Sequence, residues 1–114
     1  MSFLTDLRVT LEPVEEACLI RVAGEIDYGN ADHLRGHLDD ARRDGDTTVL
    51  DLARVEFMDS AGLEVLLDAS KAVDSDLWPF FIVRPSAAVR RLVDVTGTAD
   101  RLALVQVQEE RLLS

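Results

Sequence analysis

The most constraining feature of this chain is a strand, turn and helix unit at its centre. Residues 48–52 form an apolar run that predicts a strand covered on both faces of a sheet. An acidic turn follows, and a helix with apolar residues at helical spacing is predicted to begin at Ser60. Asp59 and Ser60 are both good helix-capping residues, because their side-chain oxygens can accept from the free N–H groups of a first turn. The sequence therefore predicts a small hydroxyl residue at the head of a well-buried helix.

Strands are predicted on both sides of this unit from apolar runs and from the period-two alternation of apolar and polar residues. The predicted strands lie at 7–12, 18–23, 80–83 and 102–107. The first should end at Pro13 and the second at Gly24, and their short connection favours an antiparallel hairpin. For residues 108–113 we predict a last helical turn or a frayed tail.

Three longer helices are predicted from apolar stripes and from their end signals. Their N-terminal signals are Asn30, Ser60 and Ser86, and their C-terminal signals are Gly45, residues 74–76 and Gly97. Strands that alternate with such helices require parallel neighbours and right-handed crossovers. We therefore expect an α/β fold, a single domain over residues 1–114, with a mixed and mainly parallel sheet of four to five strands and about four helices.

Composition excludes several classes of function. The formal charge of −10 and the pI near 4.5 would repel a phosphate backbone, so nucleic-acid binding is not expected. Cys18 is the only cysteine and lies in an apolar run, which predicts a buried thiol without a disulfide. The chain shows neither a leader pattern nor a long apolar span, so we expect a soluble cytoplasmic protein without membrane insertion.

Two patterns near residue 27 could suggest phosphate or metal chemistry. Gly24 and Gly29 have the glycine spacing of a phosphate-binding loop, but Asn30 replaces the lysine that such a loop requires. Asp27, Asp51 and Asp59 could converge around Mg²⁺ as in a phosphoaspartate receiver domain. That class requires a lysine after a late strand, whereas the only lysine of this chain lies inside the second predicted helix. We expect no cofactor and no bound metal.

Histidine chemistry is also not expected. His33 and His37 have metal-ligand spacing on the first predicted helix, but no glutamate follows His33 as a zinc protease requires. Ser60 is not in the sequence context of a hydrolase nucleophile. Neither a zinc protease nor a serine hydrolase is therefore expected, and we expect a protein that is not an enzyme.

Three separated motifs give the chain a family resemblance. Residues 57–63 (FMDSAGL), 24–27 (GEID) and 85–92 (PSAAVRRL) resemble those of bacterial STAS domains, in that family's order. Within the family the chain is most similar to the anti-anti-sigma factors, also called anti-sigma factor antagonists, from about residue 7 to about residue 107. The resemblance also implies that the helices lie chiefly on one face of the sheet.

The resemblance implies a regulatory switch. The serine at the position of Ser60 is phosphorylated in that family by an ATP-binding kinase that is itself the anti-sigma factor, and a serine phosphatase reverses the step. The unphosphorylated protein binds the kinase and releases a sigma factor, which activates transcription in a stress response. The residues that we expect at the partner surface are Asp27, Tyr28, Asn30, Asp59, Ser60, Ala61, Gly62 and Glu64.

Departures from the family pattern leave partner choice open. Asn30 stands where many relatives carry threonine, Ala61 where many carry a second serine, and residues 74–78 where a Gly-Gly turn is common. Ser60 is then the implied phosphate acceptor. An alternative function is a stand-alone STAS scaffold subunit of a transporter, lipid-trafficking or stress-signalling complex. A nucleotide-binding STAS domain is a third possibility, and the oligomeric state is not predicted.

Overall fold

Four strands, in the order β1-β2-β3-β4, form a mixed sheet in the computed structural model, which describes residues 7–106. β1 (Leu7–Val14) pairs antiparallel with β2 (Ala17–Ile26). β2 pairs parallel with β3 (Thr47–Met58), and β3 pairs parallel with β4 (Phe80–Val83). The predicted α/β class, the hairpin and the parallel centre of the sheet are thereby confirmed.

Three α-helices connect and follow the parallel strands: α1 (Ala31–Asp44), α2 (Ser60–Ser75) and α3 (Ala87–Thr96). Right-handed crossovers place α1 and α2 on the same face of the sheet, because the strand order advances in one direction. Within residues 7–106 there is one further helical segment, the 3₁₀ turn Ala99–Arg101, so three α-helices and one 3₁₀ turn stand against the prediction of about four helices. None of the helices within residues 7–106 has the length and hydrophobicity that a membrane span requires.

β3 is longer than the sequence pattern predicts. Its register with β2 shifts by one residue after Asp51 and again after Val55, so that it carries two bulges. The side chains that point into the core are therefore Leu50, Leu52, Val55 and Met58, all of them buried. The predicted end at residue 52 was wrong, because the bulges interrupt the period of two while they keep apolar side chains on the inner face.

Other strand ends also differ from their predictions. β2 does not end at Gly24 but passes through it with a positive φ of 95° and continues to Ile26. β1 includes Pro13, which an edge strand tolerates. In place of the predicted final strand, Leu104 forms a single parallel bridge with Ile82. Residue 107 and the predicted tail at 108–113 lie outside the described residues.

The core is an aliphatic cluster between the sheet and the helices, and an aromatic pair lies within it. Trp78 is buried, stacks on Phe80 with 4.5 Å between ring centroids, and donates from Nε1 to the carbonyl oxygen of Asp46 at 3.0 Å. Cys18 is half-buried rather than buried as predicted. Burial, followed by the nearby Asp46 carboxylate, raises the pKa of its thiol above the ordinary value.

Candidate functional site

The head of α2 is built by Asp59. This residue has an extended backbone and lies at the N-cap position, and its Oδ1 accepts from the N–H groups of Ala61 at 2.9 Å and Gly62 at 3.2 Å. Two of the free donors of the first turn are thereby satisfied by one carboxylate oxygen. Ser60 is the first residue of the helix and is exposed. Of the two predicted capping residues, Asp59 is the cap, and the hydroxyl residue lies beside it at the surface.

Gly62 seats this helix end against the sheet. A Cβ atom at Gly62 would lie 2.7 Å from Cγ of Met58 and 2.8 Å from Cγ2 of Ile26, which is closer than carbon atoms can approach. Ile26 and Met58 are register partners at the ends of β2 and β3. The absence of a side chain at Gly62 therefore lets the first turn of α2 rest directly on these two strand ends.

The loop between β2 and α1 is fastened by its own polar side chains. Oδ1 of Asp27 accepts from the N–H group of Gly29 at 2.8 Å, as in an Asx turn. Oδ1 of Asn30 accepts from the N–H group of Asp27 at 2.9 Å, and Nδ2 of Asn30 donates to the carbonyl oxygen of Glu25 at 2.9 Å. Asn30 holds the N-cap position, as predicted, but its side chain binds the preceding loop and does not cap α1.

Asp59 joins this loop to the head of α2. Its second carboxylate oxygen, Oδ2, accepts from the N–H group of Tyr28 at 3.0 Å, across 31 residues of sequence. The Tyr28 side chain is 89% exposed. The structure thus brings the loop and the helix parts of the predicted site together through one carboxylate, and both Tyr28 and Ser60 are exposed there.

The surface around Ser60 is acidic. Glu64 is exposed and lies four residues after Ser60, so both occupy the same side of α2. Asp27 and Asp59, both partly buried, contribute two more carboxylates from the loop and the cap. A dianion on Ser60 would therefore add to an existing negative field. The N-terminus of α2 would stabilise such a dianion less than an uncapped N-terminus would, because the N–H groups of Ala61 and Gly62 already donate to Asp59.

Asp51 and the two histidines do not belong to this site. Asp51 lies seven residues before Met58 on β3, is buried, and faces Arg21 at 3.7 Å and Arg84 at 3.8 Å. Within residues 7–106 no group of three acidic, histidine or cysteine side chains could hold a metal ion. His33 and His37 contact each other edge to face on α1, with 4.9 Å between ring centroids.

An apolar groove beside the site was missed by the sequence interpretation. It has a volume of about 540 Å³ and lies between the end of β3 and one side of α3. Its lining includes Phe57, which is 48% exposed, and Val95, which is 80% exposed. Val95 lies off the inward stripe of α3, and that is the signal from which this surface could have been found. Met58, which precedes the cap, joins the groove to the head of α2.

Comparisons with known proteins agree with this architecture. A family model described as the STAS domain matches residues 8–110. The chain is 31% identical over 94 residues to an anti-sigma F factor antagonist of Paenibacillus polymyxa, covering 81% of this chain and 80% of that protein. It is 33% identical over 82 residues to an anti-sigma-B factor antagonist of Staphylococcus epidermidis, covering 71% and 76%.

A solved structure extends the likeness to three dimensions. The anti-sigma factor antagonist from Mycobacterium paratuberculosis superposes with a TM-score of 0.80 at 25% identity, covering 96% of this chain and 93% of that chain. The matched family model spans the loop, the capped helix and the strands that position both. The chain therefore belongs to the STAS domain family.

Proposed function

We propose that this chain is an anti-sigma factor antagonist whose binding to an ATP-binding anti-sigma kinase is switched off by phosphorylation of Ser60. The observation that carries the proposal is that Ser60 is exposed at a helix head capped by Asp59, whose carboxylate also binds the Tyr28 loop. The relatives named as anti-sigma factor antagonists, at 31% and 33% identity, support the same class of partner.

The switch acts at the interface rather than on the fold. A phosphoserine adds about −1.5 to −2 charges and three strong acceptors. Asp59 keeps the cap in place, so the domain stays folded with the phosphate exposed among Asp27, Asp59 and Glu64. A partner that fits the neutral hydroxyl then meets repulsion and desolvation cost. A penalty of about 3 kcal/mol weakens binding by more than a hundredfold, which suffices for a switch.

The loop supplies the other half of the surface. Tyr28 is an exposed aromatic ring on a loop already held by three side-chain hydrogen bonds from Asp27 and Asn30, so its backbone needs little ordering on binding. Aromatic residues of this kind are enriched among residues that dominate binding energy. In the proposed complex, contacts of Tyr28 strengthen binding to the kinase, and the phosphorylation state of Ser60 decides whether binding occurs. A serine phosphatase restores the binding state.

Binding of Ser60 variants to the ATP-binding anti-sigma kinase of the same host tests the proposal. Ser60→Ala should bind at least as tightly as the unphosphorylated protein. Ser60→Asp should bind at least tenfold more weakly, because it adds a negative charge to an acidic surface. This loss is smaller than the one expected for phosphorylation, since one carboxylate carries less charge than a phosphate. Ser75→Asp is the matched control, since Ser75 is an exposed serine at the other end of α2. Equal affinities for all variants would argue against the switch.

Peptide mapping of protein purified from its host gives an independent test. Partial phosphate occupancy at Ser60, changing with growth or stress, is the expected result. Absence of phosphate under every condition, together with copurification of a stable multi-subunit complex, would favour the scaffold function instead.

A further inference from the structure

We propose that the outer edge of β1 pairs with the same edge of a second copy of this chain, which joins two four-stranded sheets into one of eight strands. β1 lies at the edge of the sheet, and within residues 7–106 its only strand partner is β2. The unpaired side of an edge strand presents a row of backbone N–H and C=O groups that can pair with another strand. This inference does not depend on the proposed switch at Ser60.

The sequence of β1 is complementary to itself in the antiparallel direction. If Thr10 lies on a two-fold axis, Arg8 stands opposite Glu12 of the second copy, and Glu12 stands opposite Arg8 of the second copy. Val9 stands opposite Leu11 in the same register. The pairs on either side of the axis therefore join two apolar side chains or opposite charges, which are cross-strand pairs that stabilise sheets.

Side-chain direction keeps the two kinds of pair apart. Arg8, Thr10 and Glu12 are all exposed and, in a strand, point to one face, whereas Val9 and Leu11 point to the other. Leu11 is 51% exposed in the isolated chain. Contact with Val9 of the second copy would cover part of that apolar surface.

The polar face already carries a row of alternating charges that ends at β1. Arg84 lies 3.8 Å from Asp51, Asp51 lies 3.7 Å from Arg21, and Arg21 lies 3.7 Å from Glu12. Arg8 of the second copy would be the next member of this row, beside Glu12. Within residues 7–106 Glu12 ends this row, and the two-fold register places the opposite charge beside it.

The dimer leaves both Ser60 sites accessible. Leu7 is the register partner of Gly24, near the carboxyl end of β2, where the Ser60 site lies. In the proposed register Leu7 stands opposite Pro13 of the second copy, which pairs with Cys18 near the start of that copy's β2. The two sites therefore lie at opposite ends of the joined sheet.

Disulfide trapping tests the register, with Cys18→Ser as the background. Thr10→Cys should form a cross-linked dimer under mild oxidation, because a residue on the axis faces its own copy within disulfide range. Arg8→Cys is the matched control, since four residue steps, about 13 Å, separate it from its own copy. Equal cross-linking of the two variants, or none in either, would overturn the proposal.

Sedimentation equilibrium of charge variants tests the pairing itself. Arg8→Glu and Glu12→Arg alone should each raise the dimer dissociation constant about tenfold, because two attractive cross-strand pairs become repulsive. The double variant Arg8→Glu/Glu12→Arg restores opposite charges across the axis and should bind more tightly than either single variant, although the arginine at position 12 then lies beside Arg21 of its own chain. Arg101→Glu, on the exposed 3₁₀ turn, is the control for net charge. A wild-type chain that stays monomeric to millimolar concentration, or a double variant no better than the singles, would refute the dimer.

Discussion

The two helices that follow β2 and β3 begin in opposite ways. At the head of α2, the Asp59 side chain turns forward and caps the N–H groups of Ala61 and Gly62. At the head of α1, the Asn30 side chain turns backward and binds Asp27 and Glu25 of the preceding loop. Both residues are of types that favour the N-cap position, and both occupy it.

These two helix starts show what a capping residue type does and does not predict. It marks where a helix begins, because a short polar side chain can bond locally to backbone in either direction. The direction is decided by what competes for the side chain. At α1, the N–H group of His33, which a cap could bind, donates instead to the carbonyl oxygen of Asn30, so the Asn30 side chain is available to hold the loop. The result is one loop fastened from both helices, by Asn30 and by Asp59 through Tyr28.

The largest loss of stability is expected where the first turn of α2 packs on the ends of β2 and β3. Gly62→Ala should lower the free energy of unfolding by about 2 kcal/mol, because the added Cβ overlaps Met58 and Ile26 and outweighs the gain in helix propensity. Urea unfolding measured by circular dichroism gives this value.

A glycine of the other helix provides the control. A Cβ at Gly36, inside α1, would meet nothing within 4 Å. Gly36→Ala should therefore raise the free energy of unfolding, by up to about 1 kcal/mol. If both substitutions stabilise the protein, then the head of α2 does not rest on β2 and β3 as described.

A smaller loss of stability is expected from removal of the Asp59 side chain, which caps α2. Asp59→Ala should lower the free energy of unfolding by about 1 kcal/mol through loss of the cap. The amides of Ala61, Gly62 and Tyr28 should then exchange faster with solvent, because all three donate to this carboxylate. Hydrogen exchange followed by NMR reports each amide separately. Unchanged protection at Tyr28 would show that Asp59 does not fasten the loop.

Much of the fold was predictable because its signals are local. The helix ends at Gly45 and Gly97 were correct, since each adopts the left-handed conformation that favours glycine, with φ of 75° and 67°. The β1-β2 hairpin and the start of α2 also follow from nearby residues. What failed was the length of β3, where two bulges break the alternation that marks a strand.

The site was predicted less completely than the fold. Sequence proximity places Asp59 beside Ser60, but nothing local shows that its second oxygen reaches Tyr28. That contact depends on the register of β2 against β3, which brings Ile26 level with Met58. The groove at Phe57 and Val95 was missed for the same reason, since it lies between two elements that only tertiary packing brings together.

A substitution at Asn30 should change stability least, but it tests most directly whether α1 and α2 begin differently. Asn30→Asp keeps an oxygen for the N–H group of Asp27 but removes the donor to the carbonyl oxygen of Glu25 and places a carboxylate near it. A side chain that capped α1 would gain from this change, because aspartate suits a helix N-terminus. We expect instead a loss of about 0.5 kcal/mol in the free energy of unfolding, with faster amide exchange at Asp27. A gain in stability would mean that Asn30 caps α1 in solution, and that the two helices begin alike.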